Sequence, residues 1–232
     1  MAAQTIIDRF QERVRSNAAN VAFRYKSGGA WKDVTWAEYG DHVTKAAKGL
    51  LSLGFGHGDK ISLLANNRPT WHIADVAAMT LGGATAAIYT SNSPEQVAYI
   101  VDHSESKVAF VDTTEQLEKI RKIRGDLPHL EHVIAFESDG QDDHISLDAL
   151  RERGRGRSDE EYDERVADVT PDDVCLYIYT SGTTGPPKGC ILTHGNYRRV
   201  LDMTLEMGIL GDDELVYLFL PLAHAFAVLI QF

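Results

Sequence analysis

The residue types best suited to chemistry are concentrated between Thr180 and Gly189. Thr180, Ser181, Thr183 and Thr184 supply hydroxyls, and Gly182 and Gly185 allow backbone conformations that a Cβ would forbid. Lys188 adds a full positive charge on a long, flexible stem. Such a loop can aim several N–H and O–H donors at one anion, and placed directly after a strand it makes a phosphate cradle. Pro186 and Pro187 limit how far it can collapse. It is not a Walker A loop, which needs a glycine before the lysine and a hydroxyl after it; Pro187 and Gly189 stand there instead. On composition alone a polar surface turn competes, because Gly, Ser, Thr and Pro also cluster in ordinary loops.

His224 lies in an apolar run. An isolated histidine there is ordinarily a core residue with a satisfied hydrogen bond. Thr193, His194 and Asn196 read as turn and helix-cap residues. Gly54-Phe-Gly-His-Gly58 follows a helix pattern and precedes a strand, the reverse of a dinucleotide fingerprint, and reads as a turn. The other histidines show no HExxH or close pairing, so no metal ligands are assigned. Arg151, Arg153, Arg155 and Arg157 read as a solvated helix end favoured by the helix dipole.

These groups need elements to position them. Val174 to Thr180 (VCLYIYT) has the pattern of a buried strand running into the glycine-rich loop. Upstream, strand patterns at 61–65, 85–89, 107–111 and 132–136 alternate with helix patterns capped by Thr35 and Ser93 and with others at 70–81, 115–124 and 147–153. Ser93, Pro94 and Gln96 form a capping-box arrangement. Ile6, Ile7, Phe10 and Val14 follow helical spacing near the start. Alternation of this kind predicts βαβ units, a parallel sheet and an α/β fold. Residues 154–163 carry many charges and little apolar content, and predict a connector. It divides the chain near residue 165, into a first α/β subdomain at 1–165 and the start of a second at 166–232 that carries the loop.

Composition narrows the partners. A net charge of −11 makes the chain a poor general polyanion binder, so nucleic acid is excluded as a partner and any phosphate site must be local. Cys175 and Cys190 have neither zinc nor redox spacing; they read as free, mostly buried thiols of a reducing, cytoplasmic compartment. Residues 215–232 carry no formal charge, which raises a membrane anchor. Pro221, His224 and Gln231 interrupt the run and acidic residues flank it, so a buried strand followed by a buried helix is the preferred expectation. Without packing partners that run would expose an apolar patch.

The string Tyr179-Thr-Ser-Gly-Thr-Thr-Gly-Pro-Pro-Lys-Gly189 closely resembles the signature of the adenylate-forming superfamily, which includes acyl-CoA synthetases, firefly-type luciferases and amino-acid adenylation domains. Val34-Thr-Trp-Ala-Glu-Tyr39 is similar to an early family motif, and Leu220-Pro-Leu-Ala-His224 to a later one. Asn66-Asn-Arg-Pro-Thr-Trp71 resembles a segment of acyl-CoA synthetases, and the segment from Ile88 to Val97 is closer to the long-chain fatty acyl-CoA synthetases, so the chain looks most like the N-terminal part of a bacterial long-chain fatty acid–CoA ligase.

The resemblance implies a large domain of parallel α/β layers and a two-step reaction. A carboxylate attacks the α-phosphate of ATP and expels pyrophosphate, with Mg²⁺ assisting; the acyl group then passes to the thiol of coenzyme A. It implies that Thr180, Ser181, Gly182, Thr183, Thr184, Gly185 and Lys188 hold the β- and γ-phosphates, and that His224 lies beside the acyl carboxylate. The family's adenine, ribose and Mg²⁺ motifs and its mobile C-terminal domain are not found in the 232 residues. The expectation is therefore an N-terminal fragment, inactive alone, that in full length activates a fatty acid. A medium-chain or aryl acid ligase, a non-catalytic nucleotide-binding module and a tail-anchored membrane protein are the alternatives. Peripheral membrane contact stays open, as does the oligomeric state.

Overall fold

The computed structural model describes residues 5–180, 186–208 and 216–224. Local chemistry accounts for most element boundaries. Helix α1 (Ile6–Ser16) starts at Thr5, whose hydroxyl accepts from the Asp8 N–H while Asp8 accepts from the Thr5 N–H. Strands β1 (Val21–Ser27) and β2 (Ala30–Thr35) form an antiparallel hairpin, closed by Gly28 at φ 59° and Gly29 at φ 81°. Two consecutive positive-φ residues are what a two-residue hairpin turn with matching twist requires. This hairpin lies outside the alternation read from the sequence, although its paired glycines are a visible signal.

Thr35 then caps α2 (Trp36–Ser52) through a second reciprocal box with Glu38. β3 (Lys60–Leu64), α3 (Pro69–Met79), β4 (Ala84–Ile88), α4 (Pro94–His103), β5 (Val108–Val111), α5 (Thr114–Ile123) and β6 (His132–Ala135) follow the expected order. α4 carries the Ser93–Gln96 capping box. A short β7 (Ile145–Ser146) and α6 (Leu147–Arg153) come next.

The charged connector is partly helical. α7 (Asp159–Ala167) is capped by Ser158, has Asp159, Glu160 and Glu161 at its positive end, and buries Tyr162. One buried aromatic and a well-made cap suffice where the apolar pattern is too thin to read. Of the arginines before it, Arg153 and Arg155 are exposed as a solvated end would be, whereas Arg151, paired with Asp148, and Arg157, bonded to Glu161 and the Leu51 carbonyl, are half-buried.

β8 (Val174–Thr180), β9 (Lys188–Thr193) and α8 (His194–Glu206) complete the described elements. The main sheet has seven strands in the order β7-β6-β5-β3-β4-β8-β9. All pairs are parallel except β8 with β9 at the edge. Residues of α1, α2, α3 and α6 pack on one face, while Val97, Ile100, Val101, Leu117, Ile120 and Ile123 of α4 and α5 pack on the other. This is a three-layer α/β arrangement, with parallel strands covered on both faces. α3 buries nine consecutive residues, Trp71 through Met79, so burial runs all round the helix and encloses His72 and Asp75 among apolar side chains.

The described part of the apolar run near the end departs from the expected buried strand. Residues 216–224 form neither strand nor helix, and Val216, Tyr217 and Phe219 are exposed while Leu222 and Ala223 are buried. Residues 225–232 lie outside the described set. No helix among the described residues is long and apolar enough to cross a membrane. Cys175 is buried as expected, but Cys190 is exposed because β9 is an edge strand.

Candidate functional site

β3, β4 and β8 run parallel, so their carboxyl ends share one edge of the sheet. β3 sits between β4 and β5, which makes its carboxyl end the topological switch point. Crevices at such points are where open α/β sheets bind ligands.

The glycine-rich loop leaves the sheet at this edge. β8 ends at Thr180, β9 begins at Lys188, and the antiparallel register sets these two residues directly opposite each other. Both are exposed. Ser181, Gly182, Thr183, Thr184 and Gly185 lie outside the described residues; the hairpin that carries them is described on both sides.

The root of the hairpin is braced from below. Tyr179 pairs with Gly189, and a side chain at Gly189 would bring its Cβ to 3.3 Å from the Tyr179 ring. The Tyr179 hydroxyl is 3.0 Å from Nδ1 of His103, at the end of α4. The His103 ring meets Tyr179 edge-on at 5.8 Å and stacks on Tyr99 at 5.3 Å. Burial first, then Tyr99 and Tyr177, push the Tyr179 phenol up to about 12, so it stays a neutral hydrogen-bonding group. Tyr179 was legible as part of the motif; its bond to His103 spans 76 residues and left no sequence signal.

β9 hands over to α8 through Thr193, which caps the helix in a reciprocal box with Asn196. His194, fully buried at the first helical position, donates its N–H to the Asp173 carbonyl. The cap reading of Thr193 and Asn196 therefore matches the structure, with His194 as the packed residue between them.

Around the switch point the loops are tied together. The backbone N–H and Nδ2 of Asn66 each donate to Asp112 at 2.8 Å, joining the ends of β3 and β5. Thr90, after β4, donates to Asn66 Oδ1. Lys119 donates to the Thr90 and Asn92 carbonyls and holds that turn. Asn67 reaches the segment that carries His224: its Nδ2 is 2.7 Å from the Leu220 carbonyl and its Oδ1 accepts from the Leu222 N–H at 2.9 Å. His224 itself is exposed, with its N–H donated to the Pro221 carbonyl. Thus Thr180 and Lys188 are brought face to face, and His224 is held from the loop after β3. Asn67 carries no assigned role in the sequence reading.

Comparison with known proteins extends this picture. A family model described as AMP-binding enzyme matches residues 10–232. The chain is 33% identical to the long-chain-fatty-acid–CoA ligase ACSBG2 of Xenopus laevis, over 98% of its own length and 32% of that protein. It is 34% identical to the long-chain-fatty-acid–CoA ligase FadD15 of Mycobacterium bovis, over 93% of its length and 36% of that protein. The chain thus spans about a third of the length of these relatives. Among solved structures, the inhibitor-bound N-terminal domain of FACL13 from Mycobacterium tuberculosis superposes with a TM-score of 0.78 at 25% identity, covering 99% of this chain and 54% of that one.

Proposed function

The chain belongs to the family of AMP-binding, adenylate-forming enzymes, and on that premise we propose that it serves the ATP-dependent activation of a long-chain fatty acid, through an acyl-adenylate, to acyl-CoA. The observation that supports this most directly is the register that sets Lys188 opposite Thr180 at the carboxyl edge of the parallel sheet. Membership implies ATP as a substrate, and coenzyme A is inferred from the CoA ligases among the relatives. The fatty acid is inferred from relatives at 33–34% identity, and the division near residue 165 is kept as a proposal in which 166–232 carries the phosphate loop.

In this reading Thr180, Ser181, Gly182, Thr183, Thr184 and Gly185 present hydroxyl and N–H donors to the β- and γ-phosphates. Lys188 neutralises charge as pyrophosphate departs. Donors positioned in advance cost no reorganisation at the moment of reaction, and the Tyr179–His103 bond holds the hairpin root next to Thr180. His224 orients the attacking carboxylate through its imidazole. Mg²⁺ belongs to the proposal by family resemblance. Among the described residues no group of three or more His, Cys, Asp or Glu side chains could hold a metal ion, so no step is assigned through it.

Lys188→Ala tests the reading in the native polypeptide that carries this sequence. A hydrogen bond to a charged group contributes about 1.5–3 kcal/mol, so ATP should bind roughly 10- to 150-fold more weakly. Calorimetric titration with ATP and fatty-acid-dependent pyrophosphate exchange measure it. Unchanged ATP affinity in the variant would overturn the phosphate-loop assignment.

A further inference from the structure

We propose that Asn67 is the positioning residue for His224, acting as a one-residue substitute for a neighbouring strand. The inference rests on the reading of His224 given above and adds the group that sets it in place.

Residues 220–222 belong to no strand, so the Leu220 carbonyl and the Leu222 N–H, which project to one side of the chain while Pro221 has no N–H to offer on the other, must be satisfied by something other than a ladder. The Asn67 carboxamide meets both at once. Nδ2 donates to the Leu220 carbonyl at 2.7 Å and Oδ1 accepts from the Leu222 N–H at 2.9 Å, with a longer Nδ2 contact of 3.4 Å to the Leu218 carbonyl. Only a side-chain amide carries a donor and an acceptor on one planar group of this length. Aspartate would set an anion against the Leu220 carbonyl, and glutamine would overreach by a methylene.

The clamp is short and well anchored at both ends. Asn66, its neighbour, is bound to Asp112 and Thr90. Arg68, on the other side, pairs with Glu137 at 3.0 Å and lies over the Phe136 ring, and Pro69 opens α3 directly after it. On the far end Leu222 and Ala223 are buried in the core, and the His224 N–H returns to the Pro221 carbonyl at 2.9 Å. His224 therefore follows two residues after Leu222, whose N–H is bonded to Asn67. Asn67 is itself exposed, so its hydrogen bonds add little global stability; what they fix is direction.

A double-mutant cycle in the native polypeptide tests this. Acyl-adenylate formation is followed in a single turnover with Asn67→Ala, His224→Ala and the pair, using palmitate as probe. Asn67→Ala should lower the single-turnover rate roughly 10- to 100-fold with ATP affinity unchanged, and should cost less than about twofold when His224 is already alanine. Asn67→Asp, which keeps size and one acceptor, should resemble Asn67→Ala. Hydrogen exchange at the Leu222 amide should accelerate in Asn67→Ala but not in Asn67→Asp, which keeps the oxygen that accepts from it and loses only the donor to Leu220. Equal losses with and without His224, or an unchanged rate in Asn67→Ala, would overturn the proposal. A His224→Ala variant of full activity would overturn the reading of His224, and the proposal with it; the single variant separates that failure from a failure of Asn67 alone.

Discussion

His194 offers a sharp test of how the loop-bearing hairpin is held in the fold. Its side chain is fully buried at the first position of α8, and neither ring nitrogen has a hydrogen-bond partner among the described residues. Burial is the main cause that lowers its pKa from 6.5 to about 4; Asp173 and Asp8 oppose this, and His57 adds to it. Asp173 is already committed to the Thr170 N–H and hydroxyl and to His57. The positive end of α8 also disfavours an imidazolium there. A histidine with a lowered folded pKa loses stability as pH falls. The unfolded chain takes up the proton from about pH 6.5 downward, whereas the folded chain resists until about pH 4. At about 1.36 kcal/mol per pKa unit, the full loss approaches ~3 kcal/mol, of which about 2 kcal/mol falls between pH 7 and pH 5.

His194→Leu removes the titration at nearly constant volume and removes two unpartnered nitrogens, so at pH 7 it should be close to neutral. Urea unfolding followed by tryptophan fluorescence at pH 7 and pH 5 gives the comparison. The parent chain should lose about 2 kcal/mol more than the variant over that interval. Carboxylates held low by partners, such as Asp33 beside Arg24 and Asp139 beside Arg121, lose their contribution at lower pH and do so in both proteins. Equal losses in parent and variant would refute the reasoning.

Two further outcomes follow from packing. In α2, a Cβ at Gly49 would come 2.7 Å from Leu150 Cγ and also meet the Leu150 carbonyl; Gly49→Ala should cost about 1–3 kcal/mol, read as a lower urea midpoint at unchanged slope. Iodoacetamide on the native chain should label exposed Cys190 and spare Cys175, whose thiol burial holds above its ordinary range; peptide mapping should find both labelled in urea.

Much of the fold was legible because its signals are local. Thr35, Ser93 and Thr193 with an acceptor three residues on mark helix starts whatever surrounds them. α7 has no comparable signal, because its stability comes from a cap and one buried tyrosine rather than from periodicity. Hydropathy predicts buried secondary structure for the run at 215–232, yet in its described part Val216, Tyr217 and Phe219 are exposed. Hydropathy records what a side chain would gain by burial, not whether a neighbour is there to bury it.

The sequence by itself determined the alternation of strands and helices, the family motif and the chemistry available to it: hydroxyls, glycines, one lysine and one histidine. Those are properties of residue type and spacing over a few positions. Tertiary structure alone decided that Lys188 faces Thr180, that Tyr179 is braced by His103, and that Asn67 holds the segment leading to His224. Asn67 and Leu222 are 155 positions apart. Their contact follows from the order in which parallel strands assemble and the loops that order gathers at one edge, and no local pattern encodes it.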